Sequence, residues 1–150
     1  MIYIYKSIIG DLLVESCENV LNKICLATEE DVKKWGYKPV IDTFSKFLDD
    51  YFDGKNPKID FEINPYGTPF QKKVWQQTYK IPYGETTSYK KIGDTLHTSY
   101  RAVGGALNKN PILIVIPCHR VIGENGNLVG FAGGLDIKKK LLNLEGINVD

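Results

Sequence analysis

With 150 residues, 43% of them hydrophobic, the chain is long enough to bury either one compact core or two small ones. It holds no run of about 18 apolar residues and does not begin with the basic, apolar and small-residue succession of a secretory signal, so a membrane or exported protein is not expected, and a cytoplasmic one (nuclear in a eukaryote) is. The formal charge of +1 is unevenly spread: residues 1–64 carry 8 Lys against 12 acids, whereas residues 65–150 carry 9 Lys and 2 Arg against 6 acids, which marks the second half as the part that meets a polyanion.

In the first half, Ile2 to Tyr5, Leu12 to Cys17 and Val20 to Ala27 alternate or cluster apolar residues and predict an antiparallel meander turning near Glu18 and Asn19. In that register Cys17 and Cys25 do not face each other, and both are expected as small buried hydrophobes. After Pro39, the spacing of Val40, Ile41, Phe44, Phe47, Leu48, Tyr51 and Phe52 predicts a helix ended by Gly54, and Asn56 to Pro65 is the expected connection.

The second half opens on Thr68-Pro69-Phe70-Gln71. Thr68 as N-cap, Pro69 at the first helical position and Gln71 closing a capping box start a helix that stops before Pro82-Tyr83-Gly84. Two short helices, about Ser88 to Leu96 and Ser99 to Asn108, have helix-turn-helix spacing. Beyond Asn110-Pro111 an apolar strand is expected to lead to Cys118, followed by a hairpin at Glu124-Asn125-Gly126, a loop at 131–134 and a helix from Asp136 to Glu145 ended by Gly146, with Lys138 to Lys140 on its polar side. The fold class is therefore α+β: a small amino-terminal sheet with a helix over residues 1–64, then a mostly helical domain over 65–150 with a helix-turn-helix and the reactive cysteine.

Cys118, His119 and Arg120 stand together inside the apolar run, where a buried strand has no structural use for them. A free thiol is only slightly ionised at neutral pH, so a nucleophilic cysteine needs a base or a positive neighbour, and His119 and Arg120 offer both. Consecutive residues of a strand point to opposite faces, which calls for a water relay between Cys118 and His119 or for a sharp bend at Pro117. A carboxylate orienting the histidine would complete the set, with Glu145, Glu85, Glu124 and Asp136 as candidates. The second helix of the pair, Ser99 to Asn108, presents a single arginine, Arg101, followed by Ala102, Gly104, Gly105 and Ala106. That is too small a surface for major-groove reading; it suits close backbone approach to a narrower groove or a tight helix crossing in the core.

Taken together, Thr68 to Trp75, Thr87-Ser88-Tyr89, Arg101 to Ala106, Asn110-Pro111, Ile116 to Val121, Gly133-Gly134-Leu135 and Leu144-Glu145-Gly146 resemble the O6-alkylguanine-DNA alkyltransferases over residues 67–147. The resemblance implies direct-reversal repair, in which Cys118 takes the alkyl group from O6-alkylguanine in double-stranded DNA once and irreversibly. It also implies that His119 draws off the thiol proton through water, that Glu145 orients His119 and that Tyr89 protonates or polarises guanine N3. By the same resemblance Arg101 fills the place of the flipped nucleotide, with Ser88, Ala102, Gly104 and Gly105 meeting the DNA and Asn110, Pro117, Arg120 and Gly133 supporting the site. A monomer without cofactor is expected, and although some relatives hold zinc in the amino-terminal half, no histidine lies near Cys17 or Cys25 here, so no metal is expected. Phe131-Ala132 stands where some relatives have Tyr-Ser, which removes a hydroxyl from the O6 region. A lesion-binding relative lacking the transfer step and a thiol hydrolase are the rival functions.

Overall fold

The computed structural model describes every residue except Val129, Ala132 and Asp150. The chain divides into two compact units, Met1–Pro65 and Tyr66–Asp150.

In the first unit, β1 (Ile2–Ser7), β2 (Gly10–Cys17) and β3 (Val20–Leu26) form the antiparallel meander, with Cys17 opposite Val20 across a turn in which Glu18 has φ 55°. Cys25 faces Leu13, so the two cysteines are out of register; Cys17 is exposed and Cys25 half-buried, which corrects the expectation that both are core residues. Helix α1 (Glu29–Trp35) was not anticipated: it buries no residue and rests on its Thr28/Asp31 capping box. Helix α2 (Thr43–Phe52) starts at N-cap Asp42, leaving Ile41 outside it and exposed, while Phe44, Phe47, Leu48 and Tyr51 turn inward. The expected connection contributes β4 (Glu62–Ile63), which pairs parallel to β3, and Phe61 beside it packs edge-on against Phe44 and Phe47.

The second unit begins with α3 (Pro69–Tyr79), whose Thr68/Gln71 capping box is complete in both directions. Only Val74, Trp75 and Thr78 are buried; Phe70 and Tyr79 lie at the rim, and Trp75 Nε1 donates to the Ala106 carbonyl at 2.9 Å, tying α3 to the helix pair. Helices α4 (Tyr89–Leu96) and α5 (Tyr100–Leu107) form the helix-turn-helix. Their turn passes through His97 in the left-handed region and comes so close that a Cβ on Gly93 would lie 2.8 Å from the Thr98 carbonyl oxygen.

Two expectations fail around the cysteine. Residues 111–117 form no strand, and β6 (Val121–Ile122) pairs parallel with β5 (Thr87–Ser88) rather than folding back on itself. A turn does close at Gly126, but no returning strand follows among the described residues. Helix α6 (Leu135–Leu144) completes the unit. No described helix is long and apolar enough to cross a membrane.

Candidate active site

Ile112 to Ile116 are all nearly inaccessible, which explains the apolar composition that reads as a strand. The backbone instead turns tightly twice. Val115 N donates to the Leu113 carbonyl at 2.8 Å across Ile114, a β-branched residue at φ 73°, and Cys118 N donates to the Ile116 carbonyl at 2.8 Å across Pro117 at φ −81°, ψ 65°. These are γ-turns, the second of the inverse kind that proline's fixed φ favours. Asn110 holds the knot: its Oδ1 accepts from Ile112 N at 3.0 Å, and its Nδ2 lies 2.8 Å from the Ile116 carbonyl and 3.1 Å from Cys118 Sγ.

Pro117 thus supplies the bend, and Cys118 to Arg120 continue as a single 3-10 turn rather than a strand. The opposite-faces argument for the relay therefore loses its basis. Cys118 is buried, and burial pushes its thiol up to about 11, although the Asn110 hydrogen bond and Lys138 pull the other way.

Of the four candidate carboxylates, the fold brings Glu145 to His119. His119 Nε2 and Glu145 Oε2 are 2.5 Å apart, both side chains fully enclosed. Glu145 gets there because Gly146, at φ 86°, ends α6 immediately after it, with Gly146 N and Ile147 N donating back to Asn143 and Leu142. Arg120 then takes both carboxylate oxygens, Nε to Oε1 at 2.7 Å and Nη2 to Oε2 at 3.1 Å, and donates through Nη1 to the Ile81 carbonyl at 2.7 Å. Gly84 N adds a bond to Oε1 at 3.1 Å. Arg120 therefore does not serve the thiol directly; it fixes the carboxylate that fixes the histidine. Burial lowers the His119 pKa, Glu145 opposes this, and Arg120 and Lys138 reinforce it.

The sequence reading put Lys138 on the polar side of the last helix, and the structure overturns this. Lys138 is completely buried, with Nζ donating to the Val121 carbonyl at 2.7 Å and to the Tyr89 hydroxyl and the Gly130 carbonyl at 3.3 Å each. Burial depresses its pKa to about 8. The signal was present in the spacing: Lys138, Leu141, Leu142 and Glu145 fall at i, i+3, i+4 and i+7, one inward face of α6. Tyr89, the first residue of α4 behind N-cap Ser88, receives that lysine and donates to the Gly130 carbonyl at 3.3 Å. Burial and then the nearby Cys118 raise its pKa to about 12, so it keeps its proton at neutral pH. Gly133 lies in the turn before α6; the Ala132 departure falls outside the described residues.

On α5, Val103, Ala106 and Leu107 turn inward, while Tyr100, Arg101, Gly104, Gly105 and Asn108 turn outward along a groove of about 1000 Å³ that Tyr89 also lines. A Cβ on Gly105 would meet no atom within 4 Å, and one on Gly104 would only graze Tyr89 at 3.9 Å. Each mid-helix glycine costs about 1 kcal/mol relative to alanine. No helix crossing requires these two, so the tight-packing alternative fails. Ala102 is half-buried in the first turn, its N–H bonded to N-cap Ser99.

The chain is similar to known proteins along nearly its whole length. Residues 69–147 match the family model of the 6-O-methylguanine DNA methyltransferase DNA-binding domain. The chain is 43% identical to the methylated-DNA–protein-cysteine methyltransferase of Methanosarcina mazei, with 98% of each chain covered. It is 38% identical to the O6-methylguanine methyltransferase of Mycobacterium tuberculosis, covering 97% of this chain and 93% of that one at a TM-score of 0.82. A structure of the M. tuberculosis OGT in complex with DNA superposes with a TM-score of 0.83 at 38% identity, covering 96% and 91%.

Proposed function

The chain belongs to the 6-O-methylguanine DNA methyltransferase family, and we propose that it repairs double-stranded DNA by moving the alkyl group of O6-alkylguanine onto Cys118, once per molecule, as a monomer without cofactor. The observation that carries this reading is the pairing of an enclosed Cys118, with its His119–Glu145 contact, and a helix face whose two glycines no packing within the protein requires. A thiol hydrolase would use the first and have no need of the second.

The target carbon lies inside the duplex, so the nucleotide must be extruded at a cost of a few kcal/mol. Arg101, exposed at the start of α5, fills the vacated place. Ser88, Ala102, Gly104 and Gly105 bring the backbone against the strand, and Gly133 shapes the loop beside the base.

The resting site is uncharged at the reacting atoms, with Cys118 as thiol and His119 as neutral imidazole. Glu145 accepts a hydrogen bond from Nε2–H, which leaves Nδ1 as the basic atom of the ring, and a water carries the thiol proton to it. The thiolate electron pair forms the S–C bond as the C–O6 bond breaks, and the released pair goes to the guanine. Tyr89 gives its proton to N3, so guanine departs neutral, and Lys138 stabilises the tyrosinate left behind. A positioned acid of this kind contributes about 10²- to 10⁴-fold. The product is a thioether that water does not cleave.

Stoichiometry tests the proposal. With excess alkylated duplex, one alkyl group should be removed per protein molecule, with no recovery of activity on a second addition; sustained turnover would contradict it.

A further inference from the structure

Tyr100 stands on the same outward ridge of α5 as Gly104, one turn apart, just as Arg101 stands with Gly105. It is 64% exposed, the only aromatic side chain on a face otherwise made of arginine, two glycines and asparagine. Among the described residues no packing within the protein calls for an aromatic ring there: the inward positions Val103, Ala106 and Leu107 carry it. The glycines let the helix backbone sink toward a partner, which drives the two bulky side chains of its first turn deepest into that partner. An arginine and a tyrosine at adjacent helical positions diverge by about 100°, so they cannot fill the same space.

We propose that Tyr100 is a second DNA wedge, which stacks on the nucleotide flanking the one that Arg101 replaces. This rests on the repair reading above. Extrusion unstacks both neighbours of the flipped base, and Arg101 covers one exposed face. The Tyr100 ring covers the other, and an aromatic platform suits this because it accepts any base, as repair at arbitrary sequence requires. The hydroxyl is incidental, and the ring does the work.

The test measures S-alkylation rates of the intact protein, Tyr100→Phe and Tyr100→Ala on two substrates: a duplex carrying O6-methylguanine with 2-aminopurine beside it, and the free base O6-benzylguanine. Stacking predicts that Tyr100→Ala loses about tenfold on duplex and less than about twofold on the free base, while Tyr100→Phe matches the parent on both. It also predicts that 2-aminopurine fluorescence is quenched by the parent and by Tyr100→Phe but not by Tyr100→Ala. An unchanged duplex rate in Tyr100→Ala overturns the proposal. So does an equal loss in Tyr100→Phe, which would assign the contact to the hydroxyl, and so does an equal loss on both substrates, which would place the effect in the pocket. If the unsubstituted protein modifies Cys118 with neither substrate, the repair reading itself has failed, an outcome distinct from these three.

Discussion

Arg120 grips both oxygens of Glu145 while Glu145 holds His119, so a buried cation, a buried carboxylate and an imidazole form one continuous line. Removing the cation leaves an enclosed charge without its partner, at a cost of about 3–5 kcal/mol. Arg120→Met should lower the urea midpoint accordingly, and Arg120→Lys should recover only part, since one ammonium cannot reach both oxygens and the Ile81 carbonyl. Because Arg120 depresses the His119 pKa, its loss should also move the acid limb of the alkyl-transfer rate to higher pH. A pH profile that stays in place would show that Arg120 only holds the fold.

Lys138 has a distinct pH signature. Its pKa is depressed from 10.5 to about 8, so between these values the unfolded chain binds more protons than the folded one. The lysine's contribution is therefore fully present above pH 10.5 and is lost as the pH falls through 8. Cys118 and Tyr89, both raised, act in the opposite sense at overlapping pH, so the readout is the difference between parent and Lys138→Met. The variant should gain on the parent in urea stability as the pH falls from 10.5 to 8, and it should lose alkyl-transfer rate on DNA. Parallel stability curves would contradict a desolvated lysine.

Two glycines of the helix pair should respond in opposite directions. Gly105→Ala meets no protein atom and adds helix propensity, so it should stabilise by about 0.5–1 kcal/mol while weakening duplex binding. Gly93→Ala places a methyl group against the Thr98 carbonyl and should destabilise by about 1–3 kcal/mol. Thermal midpoints and duplex affinity separate the two; a Gly105→Ala protein with unaltered DNA affinity would remove α5 from the interface.

Asn110 makes its three contacts to the backbone of the knot and to Cys118 Sγ from one side chain. Asn110→Ala leaves buried backbone groups unsatisfied and should cost about 2–3 kcal/mol. It also removes the leading influence that opposes the burial of the thiol, so the thiol reaction rate at neutral pH should fall as well.

Where local chemistry decides, the structure follows the sequence closely: the Thr68 capping box, the Gly146 helix end and the Pro117 bend are each a few residues acting on their own backbone. Spacing alone offers Glu145 without choosing it, because its three rivals differ only in long-range position; the family resemblance singles it out. The strand expected before Cys118 failed because an apolar run signals burial without specifying backbone, and Asn110 satisfies here the hydrogen bonds that a sheet would otherwise supply. Lys138 is poorly legible because lysine is normally solvated, and only its helical spacing with Leu141, Leu142 and Glu145 marks it as inward.

The central claim is that Cys118 itself becomes the alkyl acceptor. Intact mass and peptide mapping after incubation with duplex carrying a single O6-methylguanine address it directly. The expected result is a gain of one CH₂, located on Cys118 and absent in Cys118→Ala, with unmodified guanine left in the duplex. An unmodified protein, or the methyl group on Cys17 or Cys25, would contradict the account.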